Sequence, residues 1–363
     1  MLKTEQIRTF IGANSVRGYA SLRDSLYDHR KTDTVLLIKG GAGNGKSTLM
    51  SRLASKAEEM GYTVERVFCP SDPKSLDGVV CAELGFAMTD ATPPHVWEPG
   101  AHCLPERYLS LSPYVSEDVS ERKTKILDLC GELKAARQEA DRCIKAAFET
   151  DSELSGEVLT YADTGKLALL GQKLAEKYLP SKSETKQNRP QMLRRLISAI
   201  SPNEPVNFYS TPYALCKKTA TTVAIKDEWG LSPFMLGTVA DEAQSRGFTV
   251  WGFFDPLVTS RMIGLCIPET GLCILPCAAV QNAAETVNTA DSVGSADLEK
   301  LGSRPEVLLS VKTALINEAH ARLGVCLDIH NRIEAEYRPY TDFKGLNRLA
   351  SELEEKYIPA RQK

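Results

Sequence analysis

The nine residues Gly40-Gly41-Ala42-Gly43-Asn44-Gly45-Lys46-Ser47-Thr48 constrain this chain more than any other stretch. They fit GxxxxGK[ST], with Gly40 first, Gly45 sixth, and Lys46 and Ser47 closing the pattern. The apolar run Val35-Leu36-Leu37-Ile38 leads into them and predicts a buried parallel strand. Behind them, Leu49, Leu53, Ala57 and Met60 fall on one face of a predicted helix, which Gly61 closes as a left-handed cap. Strand, glycine-rich turn and helix in that order make a cradle for phosphate. Glycines let consecutive N–H groups turn inward, and the helix start adds its positive dipole end. The Lys46 ammonium then suits the β- and γ-phosphates, and the Ser47 hydroxyl suits Mg2+. The expected ligands are ATP and Mg2+, held by residues 40–48; the chain has no NKxD sequence to read guanine.

The chain also repeats itself. Gly61-Tyr-Thr-Val-Glu-Arg-Val-Phe-Cys-Pro70 reads alongside Gly247-Phe-Thr-Val-Trp-Gly-Phe-Phe-Asp-Pro256, an offset of 186 residues. The register continues without a gap through Gly78 and Gly264, Glu83 and Glu269, and Gly85 and Gly271. Glu176-Lys-Tyr-Leu-Pro180 is echoed by Glu355-Lys-Tyr-Ile-Pro359. One long-period match indicates two duplicated lobes, not a solenoid. The second copy keeps the strand (Ile225-Lys226) and the helix face (Leu236, Val239, Ala240, Ala243) but has lost the chemistry. Its loop, Asp227-Glu228-Trp229-Gly230-Leu231-Ser232, is one residue shorter, lacks Gly-Lys-Ser and carries two acids. A lobe that positions or regulates the first and a lobe kept only for its packing surface are both open at this point.

Within the first lobe, Tyr62–Phe68 and Phe86–Thr89 read as strands, with turns at Ser71-Asp72-Pro73 and Ser75-Leu76-Asp77-Gly78. Strands alternating with helices predict a parallel α/β sheet whose ligand crevice lies at the carboxyl ends of the strands. Asp90, ending an apolar strand, is the expected partner for Lys46 and Mg2+. Asp72 is a further metal candidate and Asp77 another; both are lost in the second lobe, as Val258 and Ile263, together with the loop motif. No Glu follows Asp90 to activate water, which leaves His95 or Glu83 for that task. Arg17 and Arg261 are candidates for contacting the γ-phosphate.

Composition narrows the class. Lys+Arg total 44 and Asp+Glu 47, which excludes a chain whose overall charge is built for nucleic acid or anionic membrane. The basic residues along a predicted amphipathic helix, Glu121–Phe148, read as a solvated face balanced by acids. A matching helix carries Leu308, Val311, Leu315, Ala319, Cys326 and Ile333. The most apolar stretch, Met262–Val280, is broken by Pro268, Gly271 and Pro276 and reads as two short buried strands, not a membrane span. Gln281–Ser303 reads as a polar surface loop. No secretory signal follows Met1–Arg8, and the 10 scattered cysteines read as reduced thiols of a cytosolic protein.

Phe10-Ile-Gly-Ala-Asn-Ser-Val-Arg-Gly18, the 40–48 loop, Cys69-Pro-Ser-Asp-Pro-Lys-Ser-Leu-Asp-Gly78, Asp90-Ala-Thr-Pro-Pro-His95 and Arg194-Arg-Leu-Ile-Ser-Ala-Ile-Ser-Pro202 together resemble a group of bacterial two-lobed P-loop ATP-binding proteins. The resemblance covers nearly the whole chain; it implies a P-loop NTPase fold and ATP, with no assigned substrate. Members of that group tend to carry a working second loop, which this chain lacks. The expected architecture is α/β, with duplicated P-loop NTPase-like parallel-sheet lobes and appended long helices. It comprises an intact lobe at 1–180, a linker at 181–190 and a degenerate lobe at 191–363. The expected function is Mg2+-dependent ATP hydrolysis driving a conformational or regulatory change, with a small-molecule or nucleotide kinase and a non-catalytic nucleotide sensor or scaffold as alternatives.

Overall fold

The computed structural model describes residues 6–16, 18–28, 31–100, 104–181, 189–216, 220–280 and 282–361. Most of the expected linker, at 182–188, lies outside the described residues. The first half runs β1 (Ile7–Thr9), β2 (Gly12–Ser15), β3 (Gly18–Ser21), β4 (Thr34–Lys39), α1 (Lys46–Glu59), β5 (Glu65–Phe68), β6 (Leu76–Cys81), β7 (Phe86–Asp90), β8 (Glu106–Ser110), α2 (Lys123–Leu159) and α3 (Thr164–Tyr178). The second runs β9 (Leu193–Arg195), β10 (Ser198–Ala199), β11 (Val206–Asn207), α4 (Thr211–Leu215), β12 (Thr221–Lys226), α5 (Ser232–Ser245), β13 (Trp251–Phe254), β14 (Met262–Ile267), β15 (Leu272–Pro276), β16 (Glu285–Asn288), α6 (Ser295–Leu301), α7 (Arg304–Tyr337) and α8 (Phe343–Tyr357).

Among the described residues the molecule is α/β, with two six-stranded sheets and long helices. The sheets share one strand order, β1-β5-β6-β7-β4-β8 and β9-β13-β14-β15-β12-β16. Both sheets are mixed, which corrects the parallel sheets expected from the sequence: β6 runs antiparallel to β5 and β7, as β14 does to β13 and β15. The turn expected at Ser75–Gly78 is the start of β6, because Gly78 serves packing and not a bend. A Cβ on Gly78 would stand 3.3 Å from the Met88 carbonyl, and one on its duplicate Gly264 would stand 2.9 Å from that of Ile274. The apolar stretch from Met262 becomes the central strands β14 and β15. No helix among the described residues is long and apolar enough to cross a membrane. The loop expected at Gln281–Ser303 holds β16, which adds to the edge of β12, and α6.

The halves exchange their terminal helices. Leu167, Leu174 and Leu179 from α3 and its end share an apolar core with Val223, Ile225, Met235 and Val239 of the second half. Leu346, Ala350 and Leu353 of α8 join Ile38, Leu49, Met50 and Leu53 of the first. The entry to each exchanged helix is tied to the opposite half. Asp163 caps the Lys166 N–H of α3 while its own N–H donates to Ser292; Asp342 caps Gly345 of α8 while its N–H donates to Tyr114. Gly171 lets α3 meet α5 closely, since a Cβ there would lie 2.5 Å from the Met235 carbonyl.

Helices α2 and α7 lie antiparallel, as the pairs Lys125–Glu336, Arg332–Glu132, Arg322–Glu139 and Lys312–Asp151 show. Helix α2 extends past the expected end at Phe148, because Asp151, Leu154 and Val158 go on meeting buried surface. Arg122, just before α2, and Lys125 in its first turn are answered by Glu336 of α7.

Candidate functional site

The loop after β4 is shaped by its glycines. Val35, Leu36, Leu37 and Ile38 are buried in the sheet, and the chain leaves it at Lys39. Gly43 (φ +70°) and Gly45 (φ +77°) take the left-handed conformation that side chains resist, and α1 begins at the next residue, Lys46. The Lys46 ammonium donates to the carbonyls of Gly40 (2.7 Å) and Gly41 (2.8 Å) and stands 3.6 Å from Asp90 Oδ2. Parallel pairing of β4 with β7 puts Ile38 opposite Asp90 and brings that carboxylate to the loop. Asp90 Oδ1 accepts from the Thr92 N–H at 2.8 Å and from the Thr92 hydroxyl. The Ser47 hydroxyl oxygen accepts the Leu76 N–H at 2.9 Å, so Ser47 abuts the start of β6.

Three further acids diverge in position. Asp77, in β6, is 4% exposed, and its Oδ2 has no hydrogen-bond partner. Burial pushes its carboxyl up to about 6; the Asp90 charge adds to this, while His95, a side-chain hydrogen bond from Cys69 and Lys46 oppose it. Asp72 accepts from the Ser75 hydroxyl and the Lys74 N–H, and so caps its own turn one step from Ser47. Glu83 lies in the β6–β7 hairpin, at the far end of these strands from Asp90, where it accepts from Thr63 and pairs with Arg361.

His95 Nε2 stands 3.7 Å from Asp77 Oδ1, and its ring meets Tyr19 edge-on at 4.4 Å. A cavity of about 170 Å³ opens beside these groups, lined by Tyr19, Asp77, Thr89, Asp90, His95 and Trp97. Arg17 lies outside the described residues. Arg261 packs against the second half's own loop at Gly230 and is held by Asp151 (2.6 Å) and Asp255 (3.5 Å).

The two loops treat their helix starts differently. In the second half the Asp227 carboxylate accepts the N–H groups of Leu231 (2.9 Å) and Ser232 (2.8 Å) and the Thr289 hydroxyl (2.8 Å). An acid of the chain itself thus occupies the N-terminus of α5. In the first half Gly43 N–H donates to Glu334 Oε1, 3.2 Å away on α7. A Cβ on Gly43 would lie 3.0 Å from the Glu334 carbonyl, and one on Gly45 would lie 3.1 Å from Leu346 of α8. His330 chiefly, with the Gly43 N–H and Lys46, holds the Glu334 carboxyl below its ordinary range against the opposing effect of burial.

The site therefore gathers Gly40–Thr48, Asp90, Asp77 and His95, with Asp72 at its margin. Sequence reasoning missed Glu334 and Cys69. Glu334 sits in an amphipathic helix, and no local pattern distinguishes it from other glutamates there. Cys69 could have been found from its loss in the second half, where Asp255 takes its place. Comparison with protein-family models, curated proteins and solved structures finds no match to this chain.

Proposed function

We propose that the chain binds ATP with Mg2+ at residues 40–48 and hydrolyses it, coupling turnover to the contact between the loop and the C-terminal helices. The observation that carries this reading is the Lys46 ammonium at the mouth of a glycine-turned loop, with Asp90 3.6 Å away and the Ser47 hydroxyl at the helix start. Lys46 would exchange the carbonyls of Gly40 and Gly41 for β- and γ-phosphate oxygens, and the Gly43 N–H would exchange Glu334 for phosphate. Ser47 and Asp90 are the groups to hold Mg2+, which supplies charge neutralisation for the transferred phosphoryl group. Asp77 and His95 line the cavity beside these groups.

One observation favours a second reading, a sensor that binds nucleotide without turnover. The Gly43–Glu334 contact links occupancy of the loop directly to α7, whether or not a bond is broken. Incubation of purified protein with γ-labelled ATP and Mg2+, with and without a metabolite pool, separates the readings. Free labelled phosphate supports hydrolysis, label on a metabolite supports a kinase, and intact bound ATP supports the sensor. Equal, background binding by wild type and Lys46→Ala overturns the nucleotide reading altogether.

A further inference from the structure

We propose that Cys69, Asp77 and His95 form a binding site for a thiophilic divalent cation, Zn2+ by its chemistry, adjoining the loop but using neither Ser47 nor Asp90. The three side chains come from separate elements: Cys69 directly follows β5, Asp77 lies in β6 and His95 in the segment after β7. One donor atom from each lies within 4.8 Å of the other two. The Asp77 Oδ1 to His95 Nε2 separation of 3.7 Å is too long for a hydrogen bond. An oxygen and a nitrogen on one tetrahedral ion, with bonds of about 2.0 to 2.2 Å, stand roughly 3.3 to 3.5 Å apart, so a shift of a few tenths of an ångström brings this pair to ligand spacing.

A second observation supports a cation beside this carboxylate. Asp77 Oδ2 is buried without a hydrogen-bond partner, and a buried carboxylate oxygen in that state is costly. Thiolate, imidazole and carboxylate together suit Zn2+; Mg2+ and Ca2+ take oxygen ligands. Asp77 and His95 line the cavity, which leaves a fourth position on the ion open to water or a substrate oxygen, the arrangement of zinc sites that do chemistry. The second half, which lacks the glycine loop, also lacks this donor set: Ile263 replaces Asp77, and Asp255 replaces Cys69. Asp255 instead accepts from the Leu257 and Val258 N–H groups and pairs with Arg261.

The test is a Co2+ titration of the chelator-treated full-length chain, read by absorbance, with Zn2+ as competitor. The expected result is stoichiometric Co2+ uptake with a thiolate-to-cobalt charge-transfer band that Zn2+ abolishes. Cys69→Ser should remove the band while circular dichroism stays native. His95→Ala and Asp77→Asn should weaken uptake more than about tenfold, since even partners outside the ligand set cost that much. Lys46→Ala should keep the band, so this site and the nucleotide reading fail separately. Cys216→Ser should also keep it; Cys216, Cys266 and Cys273 form another buried thiol cluster that could report in their stead. The absence of a band in the wild type, or a band that survives Cys69→Ser and vanishes with Cys216→Ser, overturns the proposal.

Discussion

Phe10 exchanges two backbone hydrogen bonds with Leu196, each 2.9 Å, and Leu196 stands in Phe10's own place in the second half. A residue paired with its duplicate marks a pseudo-twofold axis, around which the two sheets, the α2–α7 pair and the exchanged helices are arranged. One residue before this pair the symmetry breaks. Thr9 is matched by Arg195, whose guanidinium crosses to Glu65 with bonds of 2.5 and 2.9 Å, while the counterpart of Glu65 is Trp251 beneath that same guanidinium.

Arg195 is 1% exposed, and it also donates to the Ser25 and Leu26 carbonyls. Arg195→Met should therefore strand a buried Glu65 carboxylate and destabilise the protein by about 3–5 kcal/mol. Arg195→Met combined with Glu65→Leu should recover much of that loss, because the cost lies in the unpaired charge. Urea denaturation of the two variants and wild type measures both effects; equal stability of single and double variants would contradict the argument.

Asp151 of α2 receives Arg261 at 2.6 Å and Lys312 at 3.0 Å. Burial alone would raise its carboxyl, but the Arg261 bond and charge, with Lys312, hold it below its ordinary range. A depressed carboxyl stabilises the fold above the unfolded-chain value, roughly pH 4, and loses that contribution as pH falls through the folded value. Asp151→Asn should thus be less stable than wild type at neutral pH, with the gap closing as pH falls below the unfolded-chain value and on through the folded one. Denaturation midpoints across that range supply the comparison.

Lys46→Ala should weaken binding of a fluorescent ATP analogue more than about tenfold, since hydrogen bonds to charged groups contribute about 1.5–3 kcal/mol. Stability should change little, because the lysine's own partners are two loop carbonyls and Asp90. Asp90→Asn should instead remove the Mg2+ dependence of binding. Titrations with and without Mg2+ distinguish the two roles.

Glu334 holds the Gly43 N–H from the other half of the chain. If that contact competes with phosphate, Glu334→Gln should tighten triphosphate binding about fivefold, on the order of 1 kcal/mol of relieved repulsion. The gain should shrink as salt rises. Weaker binding by this variant would place Glu334 among the groups that hold the ligand complex.

The loop conformation was legible because its determinants are consecutive: buried strand, glycines, lysine and helix face all fall between Val35 and Met60. The shared strand order was legible only in part. Gly78 and Gly264 matched in sequence, but a glycine required by close strand approach looks like a glycine required by a turn. The helix exchange left no local trace. Helices α3 and α8 have the same length and the same ending motif, and either would present an apolar face to either sheet.

The sequence by itself determined the elements whose cause is local: the glycine-turned loop, the helix that starts at Lys46, and the repeat that gives two sheets one strand order. The tertiary structure decided which half each terminal helix covers, that Glu334 meets Gly43, and that Cys69, Asp77 and His95 converge. The physical reason is that backbone conformation follows from neighbouring residues. A meeting of side chains far apart in the chain depends on how whole surfaces pack, and no short pattern encodes that.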